Sequence, residues 1–243
     1  MALIRGLLSN IYIVESSVFV DELKKIINCR ISTLAFLNMH AVNICDKDSE
    51  FKEALLESDF LLRDGVGIEI CMKLYGISPG ENLNGTDLIP KILNSLDCEQ
   101  NVVLLGSKDE VLCEAQKVID KRFNCNVVGT LNGYEYTFNE YLEFVSKVKP
   151  SLIILAMGMP KQEKLAFFLK KNYENENGSL IISGGAILSF ITGYEKRAPV
   201  FVRKLRCEWI WRLAMDPFRL WKRFVVGGMK FFLLMVIPLL KNK

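Results

Sequence analysis

A single histidine, His40, occurs in the 243 residues, too few for a histidine-rich metal centre. The seven cysteines (Cys29, Cys45, Cys71, Cys98, Cys113, Cys125 and Cys207) are odd in number, scattered, and form no Cys-x-x-Cys pair. That argues against zinc and fits reduced thiols in a cytosolic protein. No Gly-x-Gly-x-x-Gly follows the first apolar run and no Gly-Lys-Ser/Thr occurs, so dinucleotide and P-loop readings lack their fingerprints. A Tyr-x-x-x-Lys pair is also missing, which speaks against a nucleotide-sugar reductase or epimerase. Met1 to Asn10 holds one arginine and a short apolar run, without the pattern of a signal peptide. The apolar stretch Phe224 to Leu240 is interrupted by Gly227, Gly228, Lys230 and Pro238. A spanning helix wants about 20 mainly apolar residues, so an interfacial helix is expected there.

What is present is the composition of a globular protein: 50% hydrophobic and 24% charged residues. Short apolar runs that end in glycine recur along the chain. Val102-Val103-Leu104-Leu105-Gly106, Ser151 to Gly158 and Leu180-Ile181-Ile182-Ser183-Gly184 are the clearest. Continuous apolar runs mark strands buried on both faces. Alternation with helical stretches predicts an α/β, Rossmann-like, mainly parallel sheet with helices on both faces. Ile11 to Val14 reads as an edge strand. One helix is expected from about Met39 through Ser58, and another, capped by Thr86, to Leu96. Residues 1–195 read as the core and 196–243 as a basic, amphipathic C-terminal appendage.

The most suggestive stretch is Phe60-Leu61-Leu62-Arg63-Asp64-Gly65-Val66-Gly67, an apolar run broken by a carboxylate with glycines after it. In open α/β sheets ligands sit beyond the carboxyl ends of the strands, where Asp64 would emerge. A carboxylate there can act as general base, or simply cap the next helix. Gly158-Met159-Pro160-Lys161-Gln162-Glu163 joins a turn, a helix start and polar side chains, suited to phosphate or sugar hydroxyls, or to an ordinary strand–helix junction. Gly106-Ser107-Lys108 has the same shape. His40 follows a strand and can bond a substrate or serve structure. Asp46-Lys47-Asp48 matches the Asp-x-Asp of metal-dependent sugar transferases but falls within an expected helix, so a solvated helix face is preferred and no metal is expected.

From Lys196 to Arg223 nine Lys/Arg residues stand against two acids, interleaved with Trp209, Trp211 and Trp221. Such a block implies an anionic partner. Arginine suits diphosphates and tryptophan the bilayer headgroup layer. The aliphatic ending Phe231 to Ile237 favours an anionic membrane surface over nucleic acid, with burial between subunits of a homo-oligomer as the alternative.

The order of clusters resembles the WecG/TagA/CpsF family of bacterial glycosyltransferases from about residue 10 to 223. It runs through Asn38, Asp64-Gly65-Val66-Gly67, Gly85-Thr86-Asp87-Leu88, Leu104-Leu105-Gly106, Gly133-Tyr134, Gly158 to Glu163, Arg197-Ala198-Pro199 and Glu208-Trp209 with Arg212. The resemblance implies an inverting, metal-independent transferase that needs no cofactor. It would move a sugar from a UDP-sugar to a polyprenyl-diphosphate-linked saccharide, on the inner face of the bacterial plasma membrane, in cell-surface polysaccharide synthesis. Asp64 matches the family's proposed catalytic base, Asn38 its sugar-pocket asparagine, and Lys161, Gln162 and Glu163 its pocket helix. The tail resembles an appendage that closes over the active site and touches membrane. Asn84, Thr86, Gly106 and His40 complete the expected substrate-binding set, with Lys161, Arg197, Arg203 and Arg212 as cations for the departing diphosphate. The family's usual threonine is Phe36 here, its usual arginine Asn82, and an aspartate Ser189. A non-catalytic membrane protein of a polysaccharide-synthesis complex is the rival reading.

Overall fold

The computed structural model describes residues 2–240. It opens with helices α1 (Ala2–Ser9) and α2 (Ser16–Ile27), then strand β1 (Ile31–Leu37). Ile4, Leu7 and Leu8 recur at helical spacing and are buried, which accounts for a first helix that the sequence reading lacks. The expected edge strand Ile11–Val14 is reduced to a single parallel bridge from Ile11 to Leu61. Only Ile11 is buried; Tyr12 and Ile13 face solvent and gain nothing from a longer ladder.

The helix expected after β1 is two helices, α3 (Met39–Cys45) and α4 (Ser49–Leu56). Asp48 breaks it by accepting a bond from Phe51 N at 2.9 Å, capping α4. Strand β2 (Phe60–Arg63), α5 (Val66–Leu74) and α6 (Gly85–Ser95) follow. The cap of α6 is Asn84, not Thr86: its Oδ1 accepts from Asp87 N at 3.0 Å. Next come β3 (Asn101–Gly106), α7 (Asp109–Arg122), β4 (Asn126–Leu131), α8 (Phe138–Val148), β5 (Leu152–Ala156), α9 (Lys161–Asn172), β6 (Ser179–Ser183) and α10 (Ile187–Ile191).

The six strands form one parallel sheet in the order β2-β1-β6-β5-β3-β4. Alternate residues point to opposite faces. Leu104, Ile154 and Ile182 pack against α2, α6, α7 and α10. On the other face Leu105, Leu155 and Ile181 meet α8 and α9, while Ala35, Leu37 and Leu61 meet α1, α3, α4 and α5. The sheet is covered on both sides, as its apolar strands require.

Helices α11 (Val200–Lys204), α12 (Glu208–Met215) and α13 (Pro217–Trp221) lead through a π-helical turn, Lys222–Val226, into α14 (Gly227–Leu240). Phe231 and Met235 of α14 are buried against the α1, α3 and α5 cluster. Polar bonds fix the docking: Asn43 Nδ2 donates to Gly227 O at 2.7 Å, Tyr75 Oη to Met235 O at 3.2 Å, and Lys230 pairs with Asp46 at 2.8 Å. The helical run Pro217–Leu240 is long and apolar enough to cross a membrane, by length and composition. It lies against the core along one stripe and exposes Met229, Phe232, Leu233 and Ile237 along another.

Candidate active site

Beyond the carboxyl ends of β1 and β2 lies a cavity of about 780 Å³. Asn38 and Asp64 line it, each one residue past its strand. Asp64 N donates to Leu37 O at 2.9 Å, so the ladder carries the carboxylate out beside Asn38. Asn38 caps α3, its Oδ1 accepting from Ala41 N at 3.0 Å. That bond fixes the amide, and its Nδ2 is left facing Asp64 Oδ2 at 3.4 Å. Gly65 has φ of 90°, a left-handed conformation that favours glycine. It starts α5 without a side-chain cap, leaving the first N–H groups of that helix for a ligand. Asn82 Oδ1 accepts from Gly65 N at 3.0 Å, tying the 79–84 loop to the cavity.

Arg63, at the end of β2, is 4% exposed. Its guanidinium donates to Pro79 O at 3.0 Å and Gly80 O at 3.1 Å, and meets Glu69 Oε2 at 3.4 Å. A fork of this kind fixes both the loop and the first turn of α5 around Asp64. Glu69, buried in turn, also holds Lys73 at 2.8 Å and Arg206 from the tail.

The opposite wall is the tail, with Arg203, Lys204, Arg206, Glu208, Trp209, Arg212, Arg223 and Phe224. Four carboxylates hold it in place. Asp87 takes Arg197 at 2.5 Å and Arg203 at 3.7 Å, and Glu69 takes Arg206. Glu195 takes Arg212 at 3.6 Å and Arg219 at 3.2 Å, and Asp46 takes Lys230. Much of the basic block is thus neutralised by the protein itself. Arg223 differs from the tail's other cavity-lining arginines: among the described residues it has no ion-pair partner. It sits in the π-helical turn, a distortion frequent at functional sites because it re-aims side chains.

Burial pushes the Asp64 carboxyl above its ordinary range, while the Asn38 amide and the charges of Arg212, Arg223 and Arg63 pull the other way. The balance is upward, which makes a stronger base once ionised. His40 is pushed down to about 4 by burial and by Arg223, so at neutral pH it is an uncharged imidazole that can share hydrogen bonds with a substrate.

Of the residues expected from sequence, Asn38, His40, Asp64, Asn84, Thr86, Arg203 and Arg212 come together in this cavity. Gly106, Lys161, Gln162, Glu163 and Arg197 do not line it. Gly106 brings β3 against β5 so tightly that a Cβ would meet Ala156 backbone at 2.6 Å. Lys161 Nζ donates to Gly133 O at 2.7 Å. Gln162 Oε1 accepts from Gly158 N at 3.2 Å and Gly185 N at 3.0 Å, stapling the loops after β5 and β6. Glu163 is buried with Oε2 unpartnered, and its carboxyl is pushed up to about 7. Sequence reasoning missed Arg63, Glu69, Asn82 and Phe224 as site residues, and had Arg206, Trp209 and Arg223 only as members of the basic, aromatic block. Arg63 stands next to Asp64 and carried a signal in plain view, a cation ending an apolar strand.

The chain matches the glycosyl transferase WecG/TagA/CpsF family over residues 7–243. It is 29% identical to a Staphylococcus aureus protein, over 79% of this chain and 73% of that one. Identity to a Bacillus subtilis protein is 26%, over 85% of this chain and 81% of the relative. A Bacillus spizizenii protein is also 26% identical, over 74% and 69%. All three relatives are named N-acetylglucosaminyldiphosphoundecaprenol N-acetyl-beta-D-mannosaminyltransferase. With the doubly covered parallel sheet and its cavity at the ends of β1 and β2, the chain belongs to the WecG/TagA/CpsF family of glycosyltransferases.

Proposed function

We propose that this enzyme transfers a sugar from a UDP-sugar to a hydroxyl of a polyprenyl-diphosphate-linked saccharide. The observation that carries the reading is the opposition of two chemistries across one cavity. Asp64, with its raised carboxyl, stands on the core wall, and Arg212 and the unpaired Arg223 stand on the tail wall. Asp64 takes the proton from the acceptor hydroxyl as that oxygen attacks the anomeric carbon. Attack from the face opposite the diphosphate inverts the centre. Charge gathers on the departing diphosphate, and the two guanidiniums with the open N-terminus of α5 can receive it without a metal ion. Holding both substrates in one cavity supplies much of the remaining acceleration, and a tail closed over them limits hydrolysis of the donor. The relatives' names support the lipid-linked acceptor.

The same reading extends to place. The exposed stripe of α14 and the cations Lys204 and Lys222 suit an anionic membrane on the cytoplasmic side, where surface polysaccharides are assembled. UDP release from a panel of UDP-sugars that includes UDP-N-acetylmannosamine tests the reaction, with and without a lipid-linked N-acetylglucosamine acceptor. Acceptor-dependent release that survives a chelator and falls at least about a hundredfold in Asp64→Asn is the expected result. Full activity in that variant would remove Asp64 as the base.

A further inference from the structure

At the rim of the cavity two helices each display an exposed apolar pair one turn apart. On α5 these are Ile70 and Leu74, 49% and 51% exposed. At the end of α11 they are Phe201 and Leu205, 64% and 68% exposed. Single exposed apolar residues are ordinary; two pairs at i and i+4 spacing are less so, because each pair forms one face. Arg206, just past the end of α11, pairs with the buried Glu69 of α5 and ties the two segments together. Ile70 lines the cavity together with Arg203, Lys204 and Arg206; Asp87 and Glu69 meet the two arginines, and Lys204 is the cation left behind the apolar lip.

We infer that this lip is a binding site for the first isoprenoid units of the acceptor, next to its diphosphate. The inference rests on the reading of the acceptor as a polyprenyl diphosphate and adds where its chain leaves the cavity. An amphiphile with an anionic head fits the order of chemistry met from inside outward. The α5 N-terminus and arginines come first, then Ile70, then Leu74 and Leu205 in the open. A second copy of the chain would find the lip interrupted by Lys73 and Lys204, whereas a phosphate-headed chain uses both the cations and the apolar surface. The chain would then lie on α5 and α11, not on the exposed stripe of α14.

The test is direct binding in detergent-free buffer, with farnesyl diphosphate and inorganic diphosphate as the two probes. The full-length protein should prefer farnesyl diphosphate by at least about tenfold, since each buried methylene contributes about 0.8 kcal/mol. That preference should collapse in the double variant Leu74→Ser/Leu205→Ser and persist in Phe232→Ser/Ile237→Ser on α14. All four positions are exposed, so none of these changes opens a cavity in the core. An unchanged preference in the lip variant would overturn the inference. So would an equal loss in the α14 variant, which would make the effect one of general surface greasiness. Sugar transfer is not read in this experiment, so failure of the transferase reading shows separately, in the UDP-release assay.

Discussion

Asp64 owes its chemistry to competing neighbours, and these can be removed one at a time. As the proposed base, the carboxyl must be ionised to accept a proton, so activity should fall on the acid side as pH drops through its raised value. The Asn38 amide bonds the charged form and holds that value down. Asn38→Ala should therefore move the acid limb of the pH–rate profile to higher pH, by about half a unit to one unit. An unmoved limb would show that the 3.4 Å contact has no energetic weight. Glu163 gives a stability counterpart. Its folded-state value near 7 lies above that of an unfolded glutamate, so its stabilising contribution is present below about pH 4.5 and is lost as pH rises through 7. Glu163→Gln should leave Tm nearly unchanged at pH 5 and raise it at pH 8. The place of Asp64 at the cavity was legible in the sequence, because a carboxylate just past an apolar strand and before Gly65 emerges at the sheet's carboxyl edge. Arg223 was legible only as one cation of the basic block, because a π-helical turn leaves no mark in composition or periodicity.

At the scale of elements, the tail is placed by charge as much as by apolar contact. Asp87, two residues into α6, receives Arg197 through both guanidinium nitrogens, at 2.5 and 3.2 Å, with Arg203 behind. The Asp87 side chain is 44% exposed, so solvent screens the pair and its loss is worth only about 1 kcal/mol. Asp87→Asn should quicken proteolytic cleavage between α11 and α13 about fivefold while leaving the circular dichroism of the sheet intact. Cleavage at the wild-type rate would mean that Glu69 and Glu195 hold the tail unaided. The parallel sheet and most helices could be read from apolar runs and glycines. The break between α3 and α4 could not, since a capping aspartate within an apolar pattern looks like an exposed helical residue. The basic block of the tail was likewise read as addressed to an outside anion, when four carboxylates of the protein meet most of it. Charge pattern reveals a demand for partners, and only the fold shows which partners lie within reach.

For the whole molecule, the helical run 217–240 presents two apolar stripes and the core covers one. Phe231 and Met235 are sealed against α1, α3 and α5, while Phe232, Leu233 and Ile237 face outward. An enzyme resting by that outer stripe on the lipid sheet that holds its acceptor meets the acceptor in two dimensions. Its velocity would then follow the acceptor's mole fraction in the membrane and not the amount per volume of suspension. Adding inert lipid at fixed acceptor should slow turnover in proportion, and adding buffer to the same vesicles should leave the turnover of each bound enzyme unchanged. Crowding the membrane would become the throttle of the reaction, set by the lipid supply and outside the active site altogether.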